Sequence, residues 1–148
     1  MMMRHRYTTG KGVDFIKGYE RFMAHVYDDG YGYPTIGYGH LIRPGELFTV
    51  VDKERGLDIL RKDLFNAERS VLRLVNVPLS DSQYDALVSF AFNAGGGALQ
   101  RSTLRMRLNR GEPREDVAPE FMKWIWAGGR KSTGLLRRRN AEREMFLS

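Results

Sequence analysis

The stretch GYERFMAHVYDDGYGYPTIGYGH, Gly18 to His40, sets one glutamate, two adjacent aspartates and a threonine in a run rich in glycine and tyrosine. Across its start, Val13, Ile16, Tyr19 and Met23 recur at steps of three and four, which predicts a short helix over residues 13–23. At about 100° per residue, Glu20 falls between Ile16 and Val13, at the border of the apolar arc, while Asp14, Lys17 and Arg21 take the polar side. A carboxylate in that position has to be paired with a cation, hydrogen-bonded, or held protonated. The plain reading is a structural ion pair with one of the chain's arginines. The ribbon that follows adds a loop carboxylate (Asp28 or Asp29), a hydroxyl at Thr35, and glycines that let backbone approach a ligand. A semi-buried acid facing a solvated one leaves an acid and a base at the same pH. Hydrolysis of a glycosidic bond needs such a pair: one group protonates the leaving oxygen and the other activates water or attacks. The competing reading is an ordinary hairpin whose glycines make turns and whose tyrosines fill gaps.

The elements that must hold these groups are legible in outline. From Ala24 to about Phe48 the texture turns to Gly, Tyr, Asp and Pro, and HVYDD, YPTIGYGH and ELFTV predict a small antiparallel meander. Its turns are expected at Asp29-Gly30 and at Arg43-Pro44-Gly45. Asp52 is placed to cap a long helix through Val75, with Leu57, Leu60, Leu64, Ala67, Val71 and Leu74 as its core stripe. Ser80 to Gln83 has the form of a capping box ahead of YDALVSFAFN, and Gly95-Gly96-Gly97 breaks that helix. Helices are expected at about Ser102–Asn109, Glu115–Trp126 and Gly134–Phe146. A β ribbon followed by helices is an α+β domain.

The frame Glu20, eight residues, Asp29, five residues, Thr35, then Ile-Gly-Tyr-Gly-His to His40 resembles that of the phage-type lysozymes, endolysin muramidases that cut bacterial cell-wall glycan. The resemblance resumes over Leu79–Asn109 and Gly134–Phe146. It implies a single lysozyme-like domain over residues 1–148. An N-terminal lobe of about 13–52 and a helical lobe of about 77–148, on which the first helix packs, would be joined by a helix near 52–76, with the cleft between the lobes. It also implies that Glu20 is the general acid, that Asp29 rather than Asp28 activates the attacking water, and that Thr35 positions that water in an inverting scheme. Phe92 and Asn93 fall where the family lines its glycan cleft. Arg138, or its neighbour Arg137 or Arg139, falls where the family pairs an arginine with the catalytic glutamate. His40 is expected to be structural, ion-paired with a helix carboxylate. One departure is Arg21, where the family usually has glycine; a helix running one more turn would shift Glu20 and add a cation.

Composition narrows the classes. With 148 residues and 42% hydrophobic content, the chain can bury a core. It has no cysteine, which excludes disulfides, Cys-ligated zinc and thiol catalysis. The net charge of +6 suits an anionic partner. The basic N-terminus MMMRHRYTTGKG lacks the apolar core of a signal peptide, and the resemblance to the phage-type lysozymes then implies accumulation in the host cytoplasm and access to the wall through a separately encoded membrane hole. Peptidoglycan is the expected partner, with contact to an anionic membrane open, no nucleic acid, no cofactor or metal, and a monomer. GGRKST, Gly128 to Thr133, has Arg130 where a phosphate loop needs glycine and no preceding strand. The run Arg137–Arg143 reads as one solvated helix face, with Leu135, Leu136, Ala141 and Met145 supplying apolar contacts. Trp124 and Trp126 read as core and cleft packing. The rivals are a lytic transglycosylase, which has no use for Asp29 and Thr35, and a basic nucleic-acid-binding module, which lacks a base-reading motif here.

Overall fold

Asp52 does what its position predicts: its carboxylate accepts the Arg55 amide at 2.8 Å and α2 runs from Lys53 to Leu74. Leu60, Leu64 and Val71 on its stripe are each 1% exposed, Ala67 and Leu74 are buried, and Leu57 is half-buried. A fully buried leucine contributes roughly 1.5–3 kcal/mol through removal from water. The computed structural model describes residues 4–148; Met1 to Met3, which begin the basic N-terminal stretch, lie outside the described residues. Two units are distinguished: Val13–Phe65, and the residues up to Gly12 together with Asn66–Ser148.

α1 (Gly10–Lys17), which enters the smaller unit at Val13, ends six residues before the predicted limit. Gly18 is a poor helix residue, and the chain beyond Arg21 is taken by a sheet: β1 (Phe22–Asp28) pairs antiparallel with β2 (Pro34–Tyr38), Phe22 opposite Tyr38 and Met23 opposite Gly37. Met23, assigned to the helical stripe, is thus a strand residue. β3 is His40–Leu41, and the sheet order is β1-β2-β3. The expected strand over Glu46–Val50 is reduced to one bridge, His25 to Val50. The predicted turns fall at Gly30 and Gly45, both with positive φ. Gly56 of α2 has a steric reason. A Cβ there would lie 3.0 Å from the Phe22 ring and 3.4 Å from Tyr38, whose rings pack 5.0 Å apart.

In the larger unit, Ser80 and Gln83 form the reciprocal capping box of α3 (Asp81–Ala94). α3 stops at Gly95, φ +99°, and α4 (Gly96–Arg101) and α5 (Thr103–Asn109) follow. The single helix expected over Glu115–Trp126 is instead α6 (Arg114–Val117) and a 3₁₀ turn, Ala118–Lys123. Pro119, which has no amide to donate, enters that turn at its start. A hairpin, β4 (Trp126–Ala127) with β5 (Arg130–Lys131), was not foreseen; Gly128 and Gly129 form its positive-φ turn, so GGRKST is a hairpin turn running into a helix cap. α7 spans Thr133–Leu147. Phe90, Phe121 and Phe146 are fully buried, with ring centroids 5.9 and 5.6 Å apart in sequence. Trp124 is half-buried and meets Phe90 edge-on at 5.6 Å, whereas Trp126 is exposed rather than packed.

The N-terminal segment is fastened within this unit. Thr8 donates its amide and hydroxyl to Glu68 at 2.6 Å each, and His5 meets the other Glu68 oxygen at 2.9 Å. The Thr9 amide donates to Asp85 at 3.1 Å, and a Cβ on Gly12 would lie 2.6 Å from an Asp85 oxygen. Among the described residues, no helix is long and apolar enough to cross a membrane.

Candidate active site

Glu20 stands in a turn rather than on a helix. Tyr19 and Glu20 donate their amides to Ile16 and Lys17 at 3.0 and 3.1 Å, closing 3₁₀-type turns that bring the chain from α1 to β1. Glu20 is half-buried and Arg21 is exposed. The extra helical turn inferred from Arg21 does not form, because α1 has already ended. One Glu20 oxygen lies against the backbone of Gly39, between β2 and β3; a Cβ built on Gly39 would be 2.9 Å from Oε2.

Asp28 and Asp29 follow at the end of β1, and each uses Oδ1 to hold the loop. Asp28 accepts the Gly30 and Gly32 amides at 2.7 and 3.1 Å, and Asp29 accepts those of Tyr31 and Tyr33 at 2.8 and 3.1 Å. Such bonds to backbone two residues on are what short acidic side chains make at turns. The two differ in setting: Asp28 is exposed and Asp29 half-buried. Oδ2 of Asp29 accepts no hydrogen bond from the described residues. Thr35, 2% exposed, donates its hydroxyl to the Tyr33 carbonyl at 3.1 Å, and that carbonyl also accepts the Asp29 amide. Asp29 and Thr35 are therefore brought together through one peptide unit, Tyr33. His40 is the structural residue expected: Nδ1 is 2.8 Å from Asp63 of α2 and Nε2 is 3.1 Å from Glu46. Burial pushes the Asp63 carboxyl up, against the pull of His40, while the Arg43 amide, donating to Glu46, holds that carboxyl below its usual range.

Phe92, Asn93 and the arginines belong to the larger unit. Phe92 is half-buried near the end of α3, and exposed Asn93 accepts a hydrogen bond from Arg139. Arg137 is exposed. Arg138 donates to Glu142 at 3.3 Å and to the Ser89 hydroxyl at 3.3 Å. Arg139 donates to Glu142 and, at 3.0 Å, to the Trp124 carbonyl, and its guanidinium lies 4.9 Å from the Phe90 ring centroid. Burial draws the Arg139 guanidinium below its ordinary value, opposed by Glu142. The solvated face expected for Arg137–Arg143 is overturned: Arg138, Arg139 and Glu142 are buried, and Leu136 is exposed. Sequence reading missed Glu142, although its spacing of three and four residues from the two arginines is the helical signal for such a cluster.

The α+β architecture and this carboxylate-bearing ribbon define a protein of the lysozyme fold class. The phage lysozyme family model matches residues 17–142, and the chain belongs to that family. It is 40% identical over 139 residues to an endolysin of Bacillus phage B103, covering 93% of this chain and 52% of that one. The chain thus spans about half the length of that relative. It is 35% identical over 147 residues to the endolysin of Salmonella phage P22, covering 95% of this chain and 97% of that one. The crystal structure of a P22 lysozyme mutant superposes with a TM-score of 0.87 at 34% identity, over 99% of this chain and 100% of that one.

Proposed function

We propose that this protein is an endolysin-type muramidase that hydrolyses the β-1,4 bond between N-acetylmuramic acid and N-acetylglucosamine in bacterial peptidoglycan, in the course of host cell lysis. The observation that carries the reading is the Glu20, Asp29 and Thr35 frame, in a chain of the phage lysozyme family, with Asp29 anchored through one oxygen only. Glu20, protonated, gives its proton to the glycosidic oxygen as the bond to C1 breaks. Asp29 takes a proton from a water on the opposite face as that water's oxygen bonds to C1. Exchange with solvent returns both carboxyls to their starting states. This is inversion, for which carboxyl groups stand roughly 6.5–9.5 Å apart. Thr35 braces the peptide unit that holds Asp29, and its hydroxyl, with its hydrogen given to Tyr33, keeps acceptor lone pairs suited to orient the same water.

Phe92 and Asn93 are proposed as glycan contacts, and Arg138 as the cation that offsets the charge of Glu20 once its proton has left. Cytoplasmic accumulation and release through a membrane hole, the role of a monomer, and contact of basic segments with an anionic membrane belong to the same proposal. Mass spectrometry of fragments released from isolated peptidoglycan tests it. Reducing N-acetylmuramic acid ends are expected. Anhydro-muramic ends would instead mean that the sugar's own hydroxyl had replaced water, making the enzyme a transglycosylase.

A further inference from the structure

β2 and β3 are joined by Gly39 alone, and it sits in the left-handed region at φ +75°. A methyl built on it would stand 2.9 Å from Oε2 of Glu20 and 3.8 Å from its carboxyl carbon. The first distance is inside van der Waals contact, so a side chain at position 39 has to displace the carboxylate. Gly37, two residues earlier, supplies an internal comparison. Its φ is +69°, yet a methyl there would meet only the Gly56 Cα at 3.7 Å and a Val51 methyl at 3.8 Å, which is ordinary contact. Backbone conformation alone accounts for glycine at 37. At 39 the same backbone demand is joined by a contact that the Glu20 carboxylate must move to relieve.

We infer that Gly39 is a positioning residue for Glu20, its bare backbone forming the wall that limits where the carboxyl can turn. The inference rests on the reading of Glu20 as the general acid. Glu20 lies in a turn, and the backbone of Gly39 is a fixed surface against which its carboxyl rests. The surface is itself held: His40, the next residue, pairs with Ile36 across β2 and β3 and is clamped by Asp63 and Glu46. Those bonds fix the turn, the turn fixes Gly39, and Gly39 confines Oε2.

Gly39→Ala and Gly37→Ala carry the same backbone strain, so both are expected to melt a few degrees lower than wild type, Gly39→Ala somewhat the lower because Glu20 must also move. Only Gly39→Ala should lose turnover, by about a hundredfold in kcat with KM little changed, because a displaced acid no longer meets the leaving oxygen. Gly37→Ala should stay within about twofold of wild type. The pH at which the Glu20 carboxyl titrates, followed by NMR of labelled carboxylates and assigned with Glu20→Gln, should move by about half a unit or more in Gly39→Ala and stay put in Gly37→Ala. That titration needs no turnover. If Glu20→Gln remained active, the general-acid reading would fail while the NMR comparison still judged the contact. Should Gly39→Ala prove too unstable, the double variant Gly39→Ala/Glu20→Ala should be as stable relative to Glu20→Ala as Gly37→Ala is relative to wild type. An unmoved Glu20 titration with turnover equal to that of Gly37→Ala, or a methyl cost undiminished without Glu20, would overturn the inference.

Discussion

Asp28 and Asp29 are chemically identical neighbours whose surroundings divide them. Asp29 is half-buried, its Oδ1 is fixed by two tyrosine amides, and Thr35 braces the same peptide unit, while Asp28 is exposed and holds only the glycine amides of the loop. Asp29→Asn should therefore lower turnover by about 10²–10⁴-fold, the usual contribution of a general base, and Asp28→Asn by only a few-fold. Rates of clearing of permeabilised cells check this, and the opposite ranking would mean that the roles are exchanged. Asp85 makes a second prediction at this scale. Burial raises its carboxyl pKa above the ordinary value, against the hydrogen bonds from Thr9. The folded state therefore holds its proton more tightly than the unfolded chain. The stability it contributes is fully present below about pH 3.8 and is lost as pH rises through the raised folded value. Measured by urea denaturation, wild type should gain stability relative to Asp85→Asn when pH is lowered from 7 toward 4; a difference that does not change with pH would contradict it. The spacing of Glu20, Asp29 and Thr35 was legible in sequence because it is local. The setting of Glu20 was not, since the apolar rhythm of Val13, Ile16 and Tyr19 ran on to Met23, and only pairing with β2 shows that Met23 belongs to a strand.

Elements were read best where caps and stripes agreed. Asp52, Ser80 and Gln83 announce α2 and α3 by chemistry that acts within three residues, and both helices start where those residues require. Pairings that depend on distant chain were missed. β4 and β5 are two residues each, too short for any period, and the 3₁₀ turn at Pro119 replaced a helix whose apolar pattern looked sufficient. α7 inverted the expected polarity because a charged run says nothing about whether a buried acid waits for it. Glu142, wholly buried, accepts bonds from Arg138, Arg139 and Ser89. Glu142→Ala would leave two guanidinium groups buried without that carboxylate and should cost about 3–5 kcal/mol. A comparable change at exposed Arg137 should stay within about 0.5 kcal/mol. Urea unfolding of the two variants decides, and a loss below about 1 kcal/mol for Glu142→Ala would show that the cluster is dispensable.

At the scale of the whole molecule, composition carried the charge, and the motif carried the class. On the proposed reading as a hydrolase of the anionic wall, a net charge of +6 predicts a salt-dependent encounter. Since the screening length falls from about 10 Å at 0.1 M salt to about 3 Å at 1 M, lysis of whole walls should slow as salt rises. Cleavage of short, uncharged chito-oligosaccharides should stay nearly constant; equal salt sensitivity on both substrates would place the effect in the chemistry instead. The division of the chain at Phe65 and Asn66, inside α2, was not readable in sequence, because the apolar stripe of that helix continues unbroken across it.

The most direct test of the account is the rate at which purified Glu20→Gln releases soluble fragments from isolated peptidoglycan, with circular dichroism to show that it is folded. An amide of the same shape has no proton to give to the glycosidic oxygen, so a loss of about a thousandfold is expected with the melting curve intact. A folded Glu20→Gln protein that keeps more than about a tenth of wild-type turnover would contradict the assignment of Glu20 as the acid.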